Sequence, residues 1–192
     1  MHVYLETDRL VLRRFTEADE DNLVDLDSDA AVMRFVSGGT PTPSAVIQHD
    51  ILPYFLHYYE RFAGYGFWAA IEKSTGTFLG WFHFRPLDEA RPDEVELGYR
   101  LRQSAWGQGY ATEGSRALIH KGFTELGVQR VVASTDAVQD TSRRVLEKAG
   151  LTLVRTFWAP WPELPDGPEQ EAVEYALSKA EWERLIAAAC AL

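Results

Sequence analysis

The sequence predicts a mixed α/β fold, and three observations carry that prediction. Between Gly66 and Leu101 the chain offers β-rich stretches separated by turn signals, the pattern of an antiparallel meander. From Thr112 onward, β-branched runs alternate with segments of helical periodicity. The 192 residues are 46% hydrophobic and 12% aromatic, enough for a substantial core, and no linker, repeat or low-complexity tract divides them. Residues 1–192 therefore read as one domain.

Each element has a local cause. Leu10-Val11-Leu12-Arg13-Arg14-Phe15 reads as a first strand, and Thr16 followed by Asp19 and Glu20 can cap a helix running to about Asp27. From about Ser44 to Arg61, Val46, Ile47, Ile51, Phe55, Tyr58 and Tyr59 recur at helical spacing, with Phe62 just beyond, while Pro53 should kink or interrupt the run. Strands follow at Gly66–Glu72, Phe78–Arg85 and Glu94–Leu101. Their connections are the turn Lys73-Ser74-Thr75-Gly76 and an acidic loop containing Pro86 and Pro92. Thr112–Leu126 is a helix with Ala117, Leu118, Phe123 and Leu126 as its apolar positions. Arg130–Thr135 is a β-branched strand, and Thr141–Ala149 is a helix ended by Gly150. Leu151–Trp158 and Ala172–Leu177 add strands around a Pro/Gly-rich loop, and Ala180–Ala189 makes a last helix.

Charge and cysteine usage narrow the partners. The net charge is -10 and no stretch is rich in Lys or Arg, which disfavours binding to a phosphate backbone, so nucleic acid is not expected as a partner. No run approaches the length of apolar chain that spans a membrane, and the opening residues show no basic segment followed by an apolar one, which makes the cytoplasm the expected location. The single cysteine, Cys190, can form neither an internal disulfide nor a cysteine metal cluster. Histidines at 2, 49, 57, 83 and 120 lack a paired ligand spacing, so no metal is expected.

The segment from Arg102 to Glu113 carries the chemistry. A strand runs into Arg102-Gln103-Ser104-Ala105-Trp106-Gly107-Gln108-Gly109-Tyr110-Ala111-Thr112-Glu113 and a helix begins at its end. Gly107 and Gly109 allow close approach of backbone to a ligand. Successive amides there, with the positive end of the helix dipole, can hold a pyrophosphate. A strand-to-helix turn also uses glycine for backbone freedom alone, so both readings stand on this loop by itself.

The surrounding motifs resemble the GNAT acetyltransferases, and within them the branch of ribosomal-protein N-terminal acetyltransferases of RimJ/RimL type. Leu5-Glu6-Thr7-Asp8-Arg9-Leu10-Val11-Leu12-Arg13 looks like that family's opening strand. Glu96-Leu97-Gly98-Tyr99-Arg100-Leu101, the glycine loop Trp106–Glu113, Ser142–Leu151 and Trp182 follow in the family's order. The resemblance implies a mostly antiparallel seven-stranded sheet with splayed fourth and fifth strands and helices on both faces. Acetyl-CoA would lie where Glu94–Leu101 and Arg130–Thr135 part, as co-substrate for an amine acceptor. The pantetheine would pair with backbone near Leu101, the pyrophosphate would sit on the amides of Gly107, Gln108, Gly109, Tyr110, Ala111 and Thr112, and Arg102, Trp106, Gln139 and Ser142 would complete the cofactor site. Two departures affect the site. Trp106 stands where the wider superfamily has Gln or Arg, so the loop leans on backbone donors, and Gln139 stands where the branch has Asn, keeping the amide on a longer stem.

Acetyl transfer to an amine needs a neutral amine, a donor for the carbonyl oxygen, and an acid for the departing thiolate. The resemblance places Glu96 on the strand facing the cleft as the group that takes the amine proton; an ordinary salt-bridged carboxylate is the alternative. Ser142 is the candidate donor to the sulfur, against a helix-terminus serine that serves only backbone amides. Tyr54, His83 and Trp161 are candidates for the acceptor pocket, with core packing as their other use. A homodimer through exposed strand or aromatic surface is open to the chain, although no residue pattern establishes it. Two rival functions remain at this point. One is a GNAT-like module that binds CoA without transfer. The other is a dinucleotide-binding oxidoreductase, suggested by Gly107-x-Gly109 and Asp136 but opposed by Thr112 at the third glycine position and by the antiparallel first half.

Overall fold

A computed structural model describes residues 2–160 and 169–190. Val3–Glu6 (β1) and Leu10–Arg14 (β2) form an edge hairpin. A 3-10 turn at Glu17–Asp19 then leads into α1, Glu20–Ser28. Asp19, the expected capping acid, is buried and more heavily engaged than a cap. Its carboxylate accepts both Arg13 guanidinium donors at 2.7 Å as well as the Thr16 amide at 2.9 Å.

Ala30–Ser37 (α2) went unrecognised in the sequence, although its signals are ordinary ones. Asp29 accepts from the Ala31 amide at 2.8 Å, and Gly38 closes the helix with a left-handed φ of 73°. The helical stretch around Pro53 is divided into Ser44–Val46 (α3), a π-helical turn at Ile47–Ile51, and Leu52–Arg61 (α4). Proline has no N–H to give, and the wide turn places it at the start of α4, where none is required.

Gly66–Glu72 (β3), Phe78–Asp88 (β4) and Arg91–Leu101 (β5) form the meander. Instead of an acidic loop, β4 and β5 run through Pro86 and Pro92 to a turn at Glu89 and Ala90, with Asp88 opposite Arg91. A register shift beside Pro86 accommodates its missing donor. After a 3-10 turn at Gln103–Ala105 come Tyr110–Glu125 (α5), Arg130–Asp136 (β6), Asp140–Lys148 (α6), Thr152–Pro160 (β7), Glu169–Ser178 (β8) and Lys179–Cys190 (α7).

Among the described residues the sheet has eight strands in the order β1-β2-β3-β4-β5-β6-β8-β7, one more than expected because β1 pairs with β2 at the edge. Every pairing is antiparallel except β5 with β6. Alternation along β4 divides its side chains. Phe82 and Phe84, both 0% exposed, point toward α5, where Gly114 and Gly122 make room for their rings. Trp81 faces the other way, with its ring 5.7 Å from that of Phe55 on α4. On the α5 side Trp182 of α7 packs 5.4 Å from Phe123. Among the described residues no helix is long and apolar enough to cross a membrane.

Candidate active site

The parallel pair parts soon after it forms. Glu94, Val95 and Glu96 of β5 lie opposite Arg130, Val131 and Val132 of β6, and the pairing goes no further. Leu97–Leu101 and Ala133–Asp136 diverge beyond it, while β6 continues along β8 as far as Asp136 opposite Ala172. The gap opens toward the end of β5, where the glycine loop begins.

That loop is shaped to present amides. Gly107 and Gly109 have φ of 72° and 86°, in the left-handed region that glycine alone adopts cheaply. A Cβ on Gly107 would meet nothing within 4 Å, so the backbone there stands open. The first i→i−4 bond of α5 runs from the Glu113 amide to the Gly109 carbonyl at 3.0 Å. The amides of Tyr110, Ala111 and Thr112 precede that bond and point out of the helix start, which fits an anionic pyrophosphate. Trp106 does more than replace a polar residue: its indole N–H donates to the Leu101 carbonyl at 2.8 Å. That carbonyl is therefore already engaged, and the divergent edge before it remains for a ligand's amides. Arg102 turns its guanidinium to Asp25 and over the Phe78 ring, while its amide donates to the Leu79 carbonyl at 2.8 Å and its carbonyl accepts from the Ala105 amide at 2.9 Å. Gln108 donates to the Ser104 carbonyl at 2.6 Å. Gln139 at the start of α6 accepts from the Thr135 hydroxyl at 2.6 Å, tying that helix to the end of β6.

Glu96 sits at the fork, on the face of the sheet turned toward α4. Arg85 donates to its Oε2 at 2.7 Å, and His83 Nε2 lies 3.5 Å from the same atom. The salt-bridged alternative raised for Glu96 is thus present, but both contacts fall on Oε2. His83 lies flat on Gly98, where a Cβ would come 2.5 Å from the imidazole. Burial, aided by Arg85 and Arg100 and opposed by Glu96, pushes its pKa down to about 4, so it is neutral near pH 7. Tyr54, 46% exposed on α4, reaches the same region through Phe67, whose ring is 5.5 Å from Tyr54 and 5.8 Å from His83. Trp161 lies outside the described residues.

Ser142 belongs to the opposite face. Its hydroxyl is 3.1 Å from that of Tyr99, whose ring packs 5.8 Å from Phe82. Burial pushes the Tyr99 phenol up to about 12, against the pull of the Ser142 hydrogen bond, so the phenol keeps its proton at neutral pH. Tyr99 was not singled out in the sequence, although strand alternation was signal enough: three residues after Glu96, it must face the other way. The loop's anchors Thr7 and Arg9 were also missed as site residues, because their partners lie about a hundred positions away along the chain.

The sheet is parted at the parallel pair of β5 and β6, with the helix-start amides of α5 at the mouth and polar groups on both sides of the fork, a shape that suits a long ligand with an anionic end. Residues 9–152 match the acetyltransferase (GNAT) domain, and the chain belongs to that family. It is 32% identical over 188 residues to the FsC-acetyl coenzyme A-N(2)-transacetylase of Aspergillus fumigatus, across 94% of this chain and 78% of that protein. Its fold is similar to that of RimL, a ribosomal L7/L12 α-N-protein acetyltransferase solved with coenzyme A. That match has a TM-score of 0.75 at 18% identity, covering 92% of this chain and 98% of the other. It is also similar to a spermidine N-acetyltransferase of Vibrio cholerae solved with CoA and spermine. The TM-score there is 0.74 at 12% identity, covering 92% and 99%.

Proposed function

We propose that the protein transfers an acetyl group from acetyl-CoA to a primary amine, by direct attack of the amine in a ternary complex. The observation that carries this reading is the fork itself: β5 and β6 part just beyond Glu96 and Val132, and the gap leads to the amides of the glycine loop. Acetyl-CoA supplies a thioester that is activated toward amines. The amides from Gly107 to Thr112 would hold its pyrophosphate, and the unpaired edge of β5 would align its pantetheine amides.

The two faces divide the proton work. On the α4 side, Glu96 Oε1 takes the proton of the incoming amine, with Oε2 pinned by Arg85 so that the carboxylate cannot swing away. Neutral His83 and the rings of Phe67 and Tyr54 wall the approach. On the α6 side, Ser142 donates toward the sulfur as it departs. The Tyr99 and Ser142 hydroxyls lie 3.1 Å apart and either can donate; with Tyr99, which keeps its proton, as the donor, the serine hydrogen is left to turn toward the gap. The acceptor belongs to the broad class of primary amines, a protein N-terminus or a small amine; the Aspergillus relative is named for an N(2) transfer and the Vibrio structure holds spermine. The test is a thermal-shift titration with acetyl-CoA, CoA and NAD(P)H, followed by thiol release over a panel of amines. Stabilisation by both CoA forms with thiol release for at least one amine is expected. CoA binding without transfer to any amine would favour an idle CoA-binding module, and stabilisation by the nicotinamide alone would overturn the reading.

A further inference from the structure

Resting on acetyl-CoA as the donor, we infer that Arg9 is a positioning residue for the pyrophosphate loop and acts on it from behind. Arg9 lies between β1 and β2 at one edge of the sheet, three strands away from β5, yet against the start of α5. Its Nη1 donates to the Gln108 carbonyl at 2.9 Å. Nε donates to Glu113 Oε2 at 2.7 Å, and Nη2 lies 2.6 Å from the same oxygen. The Arg9 amide donates to Glu113 Oε1 at 3.0 Å, and the Thr7 hydroxyl donates to that oxygen at 2.6 Å. The guanidinium carbon stands 4.4 Å from the centre of the Tyr110 ring, and the Tyr110 hydroxyl is itself held by Glu72.

The geometry explains what this network accomplishes. Left-handed glycines at 107 and 109 flank Gln108, a conformation that turns successive amides to one side and lets carbonyls face the other. Arg9 captures the Gln108 carbonyl, so its negative end cannot rotate toward the phosphate oxygens. Each guanidinium nitrogen of Arg9 already has a protein partner, Gln108 or Glu113, and these contacts fix the loop to the start of α5. Core burial does not account for the network, since the Arg9 side chain is 46% exposed. Loops of this kind bind tightly when their donors are fixed in advance, because ordering them on binding costs affinity.

The experiment compares the full-length wild type with Arg9→Ala and Arg9→Lys, using CoA and pantetheine binding by calorimetry, then turnover of acetyl-CoA and S-acetylpantetheine, which lacks the pyrophosphate. For Arg9→Ala we expect CoA affinity to fall and KM for acetyl-CoA to rise about 10- to 100-fold, the scale on which supporting residues tune a site. Pantetheine binding and kcat/KM for S-acetylpantetheine should change by less than about threefold. Arg9→Lys should fall between, since a point charge cannot replace the planar fork. Unchanged CoA affinity in Arg9→Ala, or equal losses for both donors as a purely structural role would give, overturns the inference alone. A wild-type protein that binds no CoA overturns it together with the transfer reading.

Discussion

At the scale of single residues, the site depends on which oxygen or nitrogen each side chain leaves free. Glu96 is held by Arg85 through Oε2, so replacing it with Gln keeps the shape and removes the group proposed to take the proton. Glu96→Gln is expected to lower kcat/KM by about two to four orders of magnitude with the melting temperature nearly unchanged, and near-normal turnover would remove Glu96 from the mechanism. His83 makes a different prediction. Unfolded, its imidazole takes a proton near pH 6.5; folded, burial holds it neutral down to about 4. The unfolded chain therefore binds more protons between those values, and stability must fall as the pH is lowered through that window. The carboxylates held below their ordinary range, Asp19, Glu72, Glu113 and Glu181, begin to lose their contributions as the pH falls to the usual carboxylate values, a loss that His83→Asn shares with the wild type. Urea titrations at pH 7 and 4.5 should show wild type losing on the order of 2 kcal/mol more than His83→Asn, and parallel losses would refute the assignment.

At the scale of elements, close approach decides more than propensity does. Glycine within a helix costs about 1 kcal/mol relative to alanine, yet α5 carries Gly114 and Gly122 where it crosses the sheet. A Cβ at 114 would sit 2.4 Å from the tip of the Phe82 ring, and one at 122 would sit 2.6 Å from that of Phe84. Both rings are fully buried, so neither can give way without moving β4. Gly114→Ala should accordingly destabilise the fold by about 1–3 kcal/mol, despite its better helix propensity. Urea denaturation with an unchanged or raised midpoint would count against that packing. The parting of β5 from β6 has a similar origin: β6 follows β8 over its whole length, from Arg130 opposite Ser178 to Asp136 opposite Ala172, and β5 follows β4. Each strand keeps its antiparallel partner, and only the short parallel contact between them is given up.

At the scale of the whole molecule, a donor that bridges the gap should tie the β1–β5 half to the β6–β8 half and so resist unfolding. At a hundredfold excess over Kd, acetyl-CoA should add roughly 2.7 kcal/mol of stability and raise the melting temperature by about 5–10 °C, as a scanning-fluorimetry titration would read. A flat titration would mean that the gap does not hold the donor. Much of this molecule was legible in the sequence because it is written locally. β-rich and β-branched runs placed seven of the strands, Asp29 with Gly38 marked the ends of a helix that could have been found, and Gly107-x-Gly109 marked a strand-to-helix loop through backbone chemistry needing no distant partner. The faces could likewise be read from the period of a strand, which puts Glu96 and Tyr99 on opposite sides. Tertiary structure alone decided what depends on residues far apart along the chain. It paired β1 at the edge, set Tyr99 against Ser142 and Arg85 against Glu96, and brought Arg9 behind Gln108. Hydrogen bonds and ion pairs of this kind are fixed by which strands and helices meet, and no local pattern of residues specifies that.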